Sequence, residues 1–403
     1  MKYVIIGNSG GAIGAVIGIR EYDEDGEILL ISDENYHTYS RPLISYWLEG
    51  KITEEKMHYR DPNFYERMNV DTILGRRVSS IDKDVKAITL DDGSTYSYDK
   101  LLVATGSSPF IPPIKGIDNV DRRFTFTKFD DAKAISANVK SGERILILGA
   151  GLIGLKAAEA LYPRDVDLTV VDLSNKILSS ILDENASKIV GNHIKKKDLS
   201  LVLDTSVDEF DGNKAILSNG EIVEFDVLIV SVGVRPNISL VQDIDGECRR
   251  GIITNIRQQT SIPDIYAAGD CTESHDISSG TDKIIALLPN AFIQGEVAGK
   301  NMAGGDAKYE NAIPMNAIGF FGLFTITAGI YDGDGCISQI NGEGNQYERL
   351  CFKDGRLKGF ILVGNVANAT SYTAIIKAGI KIADDEIELL RTNPNSLLKK
   401  QIR

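Results

Sequence analysis

Apolar residues along this chain fall in short unbroken runs, each closed by glycines or an acid. Val4-Ile5-Ile6 runs straight into Gly7-Asn8-Ser9-Gly10-Gly11, and Ile28-Leu29-Leu30-Ile31 stops at Ser32-Asp33. A run this short, bounded by turn residues, reads as a strand buried on both faces. The pattern predicts a strand over 3–6, a helix over 11–22 and a second strand over 28–32, which together form a βαβ unit. The same order returns later. A strand is predicted over 144–148, then Gly149-Ala150-Gly151-Leu152-Ile153-Gly154, a helix reaching Leu161, and a strand over 168–171 ending at Asp172.

The repetition continues beyond each βαβ unit. Ala87-Ile88-Thr89-Leu90 meets Asp91-Asp92-Gly93 and leads to a strand over 101–106. Ala215-Ile216-Leu217 meets Ser218-Asn219-Gly220 and leads to a strand over 228–233. Each reads as a hairpin followed by a buried strand ending in glycine. Two copies of one grammar imply two similar domains. Pro109, Pro112, Pro113 and Pro236 punctuate their exits, and Ile265-Tyr266-Ala267-Ala268 forms a further strand ending in Gly269-Asp270. From about Asn311 the signals change to short strands over 347–352 and 357–363, the turn Asp354-Gly355, and a helix over 371–383. The fold class is therefore α/β: two Rossmann-like dinucleotide-binding domains plus a small C-terminal α+β domain.

Composition supports this organisation. At 403 residues, 43% apolar and 25% charged, the chain can build several cores, and a prior of roughly 150 residues per domain gives two or three. The expected domains are 1–112 with 245–310, 113–244, and 311–403. A net charge of -13 repels phosphate backbones, so no nucleic-acid partner is expected. Lys195-Lys196-Lys197 and Lys399-Lys400 read as solvated surface. Cys248, Cys271, Cys336 and Cys351 lack CxxC spacing, and His37, His58, His193 and His275 lack ligand spacing. That predicts no metal site, no iron–sulfur cluster and no disulfide framework, in a reducing compartment. The glycines after Ile6 break any signal-like start, and no apolar run approaches the roughly 20 residues of a membrane helix. A cytoplasmic protein without membrane contact is expected.

The glycine motifs carry the chemistry. Gly149 permits a tight turn, Gly151 lets a pyrophosphate approach the backbone, and Gly154 lets helix pack on strand. The helix N-terminus then offers free N–H groups and a positive dipole end. Asp172 can accept both ribose hydroxyls and would repel a 2′-phosphate, which favours NADH over NADPH. The first motif keeps Gly7, has Ser9 at the second position and the accepted variant Ala12 at the third. Asp33 takes the ribose role there, with Glu34 beside it as a rival.

With these motifs the chain resembles the flavoprotein reductases that have two dinucleotide-binding domains. These include NADH:rubredoxin reductases, ferredoxin reductases of oxygenase systems, and the flavin domain of NADH-dependent nitrite reductases. Tyr39-Ser40-Arg41-Pro42-Leu43, Ala104-Thr105-Gly106-Ser107-Ser108-Pro109, Tyr266-Ala267-Ala268-Gly269-Asp270 and Leu288-Pro289-Asn290-Ala291 carry the likeness, which is good over about 1–310. It implies FAD contacts at Gly7, Ser9, Gly11, Asp33, Arg41, Val78, Ala104, Thr105, Gly106, Gly269, Asp270 and Leu288. It implies NADH contacts at Gly149, Gly151, Leu152, Ile153, Gly154, Asp172 and Gly233.

Two departures from the family matter. Disulfide-using relatives place a cysteine near the position of Arg41, and none is here, so no catalytic side chain or redox thiol is expected. Where many relatives have a glutamate near the nicotinamide, this chain has Lys156, with Glu159 one turn on. The resemblance implies hydride transfer from NADH to FAD, then electrons to a one-electron carrier such as a rubredoxin or ferredoxin, with monomer and homodimer both open. An NADH oxidase or nitrite-reductase-linked flavoprotein, and an NADH-sensing flavin protein, are the alternatives.

Overall fold

Both faces of each parallel sheet are covered, which is why its central strands are apolar and buried over 3–6 and 145–148. The computed structural model describes residues 1–342 and 345–400. The chain divides into two compact units. The first comprises Met1–Ser40, Glu54–Ser108 and Arg235–Ile313; the second comprises Arg41–Thr53, Pro109–Val234 and the chain from Pro314 onward.

In the first unit, Lys2–Ile6 is the middle strand of a five-stranded parallel sheet. The order is Ile265–Ala267, Lys100–Val103, Lys2–Ile6, Glu27–Ser32, Val70–Leu74. Alternation along a strand sends successive side chains to opposite faces. Tyr3 and Ile5 pack with Ile13, Val16 and Ile19 of the helix Gly10–Arg20. Val4 and Ile6 pack with Ile81, Ile88 and Leu90 of an antiparallel meander formed by Val78–Asp82, Ala87–Leu90 and Thr95–Ser97. The expected hairpin thus has a third strand.

A second helix, Leu288–Met302, lies against the first almost backbone to backbone. A Cβ on Gly14 would sit 2.1 Å from the Phe292 carbonyl oxygen, and one on Gly295 only 1.8 Å from that of Gly11. Spacing of four residues puts Gly10, Gly14 and Gly18 on one stripe of one helix, and Gly295 and Gly299 on the facing stripe of the other. The apolar pattern does not announce the second helix. Its close contact is made of missing side chains, and only the folded chain shows what they face.

The second unit repeats this plan. Its parallel sheet runs Arg123–Phe124, Val227–Val230, Arg144–Leu148, Asp167–Val171, Ser200–Val202. The first and second strands pair without stagger in both sheets, Lys2 opposite Glu27 and Arg144 opposite Asp167. A meander of Val207–Asp211, Lys214–Leu217 and Ile222–Glu224 covers one face, with Phe210, Ala215 and Leu217 packed on Leu146 and Leu148. The duplication expected from sequence is present.

From Pro314 the chain forms a five-stranded antiparallel sheet ordered Met315–Phe320, Leu323–Gly329, Arg356–Val363, Gln346–Lys353, Cys336–Asn341. The helix Ala369–Ala378 packs on it, with the Phe360 and Tyr372 rings 5.5 Å apart. The expected helix over 371–383 ends earlier because Gly379 takes a left-handed φ of +61° and stops it.

One expectation is corrected. Cys336 and Cys351 form a disulfide, which their spacing did not reveal. They stand directly opposite each other on adjacent antiparallel strands, with Cα atoms 4.0 Å apart. Register across a hairpin, rather than distance in sequence, decides such a pair.

Candidate functional site

Each parallel sheet ends in a cradle of similar construction. In the first unit, Gly7 leaves its strand at φ +124°, and a Cβ there would lie 2.2 Å from the Ala104 carbonyl oxygen. In the second, Gly149 leaves at φ +105°, with Ser231 oxygen 2.5 Å from the corresponding point. Only glycine fits either turn. Gly154 is equally constrained, its Cβ position lying 1.9 Å from the Gly149 oxygen. Gly151 is different. A Cβ there would meet nothing within 4 Å, so the space above the start of the helix Leu152–Leu161 is open. The first turn of a helix has N–H groups with no partner inside the helix, and at Leu152 and Ile153 they begin beside that space. Open room, a bare backbone and a dipole end fit a pyrophosphate.

Asp172 follows the last residue of its strand and is already fixed. One carboxylate oxygen accepts from Ala150 N at 2.6 Å, the other from Ser174 N at 2.7 Å. It is thereby tied to the glycine turn itself. In the first unit, Asp33 has the equivalent place and is exposed. Glu34 is buried, and its carboxylate accepts the Tyr39 hydroxyl at 2.6 Å. Of the two candidates, Glu34 serves a contact within the fold.

Ser9 stands where a second glycine is usual. It caps the helix Gly10–Arg20 in extended backbone, with no capping bond from its side chain. Gly11 is buried beneath the Ala268 carbonyl oxygen, 3.4 Å from its Cβ position, and Leu288 packs its Cδ1 2.8 Å from that of Gly10. Val78 opens the meander and is buried. Gly7, Ser9, Gly11, Ala104 to Gly106, Gly269, Asp270 and Leu288 therefore all lie in the first unit.

The Thr105-Gly106 segment is held by a residue the sequence did not single out. Asn237 donates its side-chain N–H to Thr105 O at 2.8 Å and its backbone N–H to Gly106 O at 2.9 Å. Thr105 Oγ1 donates to Asn237 O at 2.8 Å, and Ser108 Oγ to Asn237 Oδ1 at 2.8 Å. Ser107 Oγ donates to Asp270 at 3.3 Å. Only the proline before Asn237 marks its position in the sequence.

Arg41, Gly149, Gly151, Leu152, Ile153, Gly154, Asp172 and Gly233 belong to the second unit. Arg41 donates to Thr127 O at 3.2 Å. A Cβ at Gly233 would meet nothing within 4 Å, so that turn also faces open space. Lys156 and Glu159 are paired at 2.6 Å and reach the strand and turn beyond Pro314. Lys156 Nζ donates to Gly319 O at 2.7 Å, and Glu159 accepts from Phe321 N at 2.6 Å.

The cysteines are turned away from chemistry. Cys271 directly follows Asp270, yet its thiol is fully buried against the carbonyls of Val103 and Ala268. Burial pushes its pKa up to about 11, which keeps it a thiol rather than a nucleophilic thiolate. Burial also raises that of Cys248. Among the described residues, no three His, Cys, Asp or Glu side chains gather as metal ligands, and no helix is long and apolar enough to cross a membrane.

Residues 1–295 match the family model described as pyridine nucleotide-disulphide oxidoreductase. The chain is 32% identical over 368 residues to the NADH-dependent phenylglyoxylate dehydrogenase subunit epsilon of Aromatoleum evansii, covering 89% of this chain and 87% of that one. It is 34% identical over 323 residues to an NADH oxidase of Methanocaldococcus jannaschii, covering 77% and 71%. In fold it is similar to a chain of the covalent putidaredoxin reductase–putidaredoxin complex, with a TM-score of 0.92 at 21% identity over 99% and 98% of the two chains. Proteins of this kind bind FAD and NAD(H). With two dinucleotide cradles built alike and the family model matched over 1–295, this chain belongs to the pyridine nucleotide-disulphide oxidoreductase family.

Proposed function

We propose that this chain oxidises NADH through a bound FAD and delivers the electrons to a small one-electron carrier protein of the rubredoxin or ferredoxin kind. The carrying observation is the doubled cradle, in which only the first unit adds the Gly269-Asp270 turn and the Asn237-braced Thr105-Gly106 segment. The first unit would hold FAD through Gly7, Ser9, Gly11, Asp33, Val78, Ala104 to Gly106, Gly269, Asp270 and Leu288. The second would hold NADH through Gly149 to Gly154, Asp172 and Gly233. When bound, the flavin supplies hydride acceptance from the nicotinamide and onward electron release.

The protein's own part is orientation. The glycine turns bring backbone N–H groups to phosphate, and Asp172 accepts the ribose hydroxyls. No side chain needs to move a proton, and the buried Cys271 thiol supports a route without protein disulfide exchange.

The test is anaerobic. The purified protein should release FAD on denaturation, be reduced by NADH, and be reoxidised by rubredoxin or ferredoxin faster than by dioxygen in stopped flow. Release of FMN, or of no flavin after reconstitution, overturns the cofactor assignment. If dioxygen is the fastest acceptor, the oxidase reading replaces the carrier reading. The likeness to the Methanocaldococcus jannaschii NADH oxidase favours that second reading.

A further inference from the structure

The first unit contains a polar side chain that no glycine motif accounts for. Gln294 lies on the helix Leu288–Met302 and is 1% exposed. Its Oε1 accepts the backbone N–H of Gly269 at 2.6 Å, and its Nε2 donates to Ser274 Oγ at 2.5 Å. A backbone N–H can only donate, which fixes the amide with its oxygen toward Gly269. Gly269 has φ +90°, and both Thr272 N and Thr272 Oγ1 donate back to its carbonyl at 2.9 Å. Gln294 therefore ties down the N–H of the turn that carries Asp270, while Thr272 holds its carbonyl.

The neighbouring residue does a second job. Gly295 presses on Gly11, its Cβ position 1.8 Å from the Gly11 oxygen, and Gly11 belongs to the first phosphate motif. Through consecutive residues, one helix thus sets both the first glycine motif and the Gly269-Asp270 turn.

We infer that Gln294 is a positioning residue for FAD: it never touches the reacting atoms, but it fixes the left-handed Gly269 turn that presents Asp270. This rests on the flavin reading of the first unit. Apo-protein titrated with FAD, followed by quenching of flavin fluorescence, reads it directly, with the apo-protein Tm as control. Gln294→Met keeps length and apolar volume but removes both hydrogen-bonding ends. It should raise the FAD Kd about tenfold by leaving the Gly269 N–H unpaired.

Gln294→Glu, assayed at pH 6, is the conservative variant. Burial raises a carboxyl pKa, and the neutral acid offers the same acceptor with an O–H in place of the N–H. Its Kd should stay within about threefold of the parent's. A Met variant that binds FAD as tightly as the parent overturns the inference, as does a Glu variant as weak as the Met variant. If the Met variant does not fold, Ser274→Ala releases only the Nε2 end and should still weaken FAD; an unchanged Kd there is equally fatal. A parent chain that binds no FAD removes the flavin reading itself, and that result is seen before any variant is made.

Discussion

Asp172 shows what one residue can decide and how it is held ready to do so. Its two oxygens already accept backbone N–H groups from Ala150 and Ser174, so the carboxylate is ordered in advance of the ribose that the proposed NADH site would bring to it. Each oxygen keeps a lone pair for a hydroxyl, whereas a 2′-phosphate would meet a fixed negative charge. The parent protein should therefore use NADH at least tenfold better than NADPH in kcat/KM, and Asp172→Ala should lower the NADH value about tenfold and shrink the ratio. Equal use of the two nucleotides by the parent, in steady-state assays, would remove the argument. The acid after the strand was legible in the sequence. That the same acid braces the glycine turn was not, because Ser174 and Ala150 meet it only in three dimensions.

At the scale of elements, glycine has two separate uses in this chain, and they can be told apart. Gly295 is a packing glycine, because Gly11 oxygen lies 1.8 Å from its Cβ position. Gly295→Ala must push apart the helices Gly10–Arg20 and Leu288–Met302, and should cost about 1–3 kcal/mol or more of stability, read as a lower Tm. Gly151, which the proposed function sets against the NADH pyrophosphate, is free of packing: its φ of -81° suits any residue, and its Cβ position is open. Gly151→Ala should leave Tm within about 2 °C of the parent while raising the NADH Kd, because the methyl enters the space assigned to pyrophosphate. If calorimetry shows both variants equally destabilised, the distinction is wrong. The sequence shows Gly151 through its motif. It gives no such sign at Gly295, whose partner stripe lies about 280 residues away.

For the molecule as a whole, charge sets conditions of stability and encounter. The chain carries a net -13, and several arginines that could have steered an acidic carrier are already paired. Arg122 bonds Glu143 and Arg123 bonds Asp118, each at 2.8 Å, while Arg76 approaches Asp92 at 3.5 Å. Arg403 lies outside the described residues, as does the Lys400 side chain.

The pairing acts on stability through the carboxylates. Hydrogen bonds from Lys100 and Lys86 hold Asp264 below the usual carboxylate range, and Arg144 does the same for Asp226 and Glu224. A carboxylate with a depressed folded-state pKa contributes stability above its unfolded value, about 4, and that contribution fades as pH falls through the depressed value. Tm should therefore be nearly flat from about pH 8 to 5 and fall below about pH 4. Asp264→Asn, which tolerates the φ of +65° at that residue, should lower Tm at pH 7 and make the acid slope shallower. An unchanged slope would show that the Asp264 cluster carries none of the acid sensitivity.

The sequence by itself determined the two βαβ units, the hairpins that follow them, the glycine turns and the acid after each second strand. All of these rest on spacing within about 30 residues, where period and turn chemistry act directly. Tertiary structure decided the rest. It paired Cys336 with Cys351 through strand register, set Asn237 on Thr105, and committed Glu34 to Tyr39. It bound Lys156 and Glu159 to the Gly319–Phe321 segment, and turned the Cys271 thiol inward although Asp270 precedes it. Apart from the disulfide, each of these depends on a polar group finding a partner once water is excluded. Leaving such a group unpaired is costly in the folded state, and the need leaves no period in the chain from which the partner could be read.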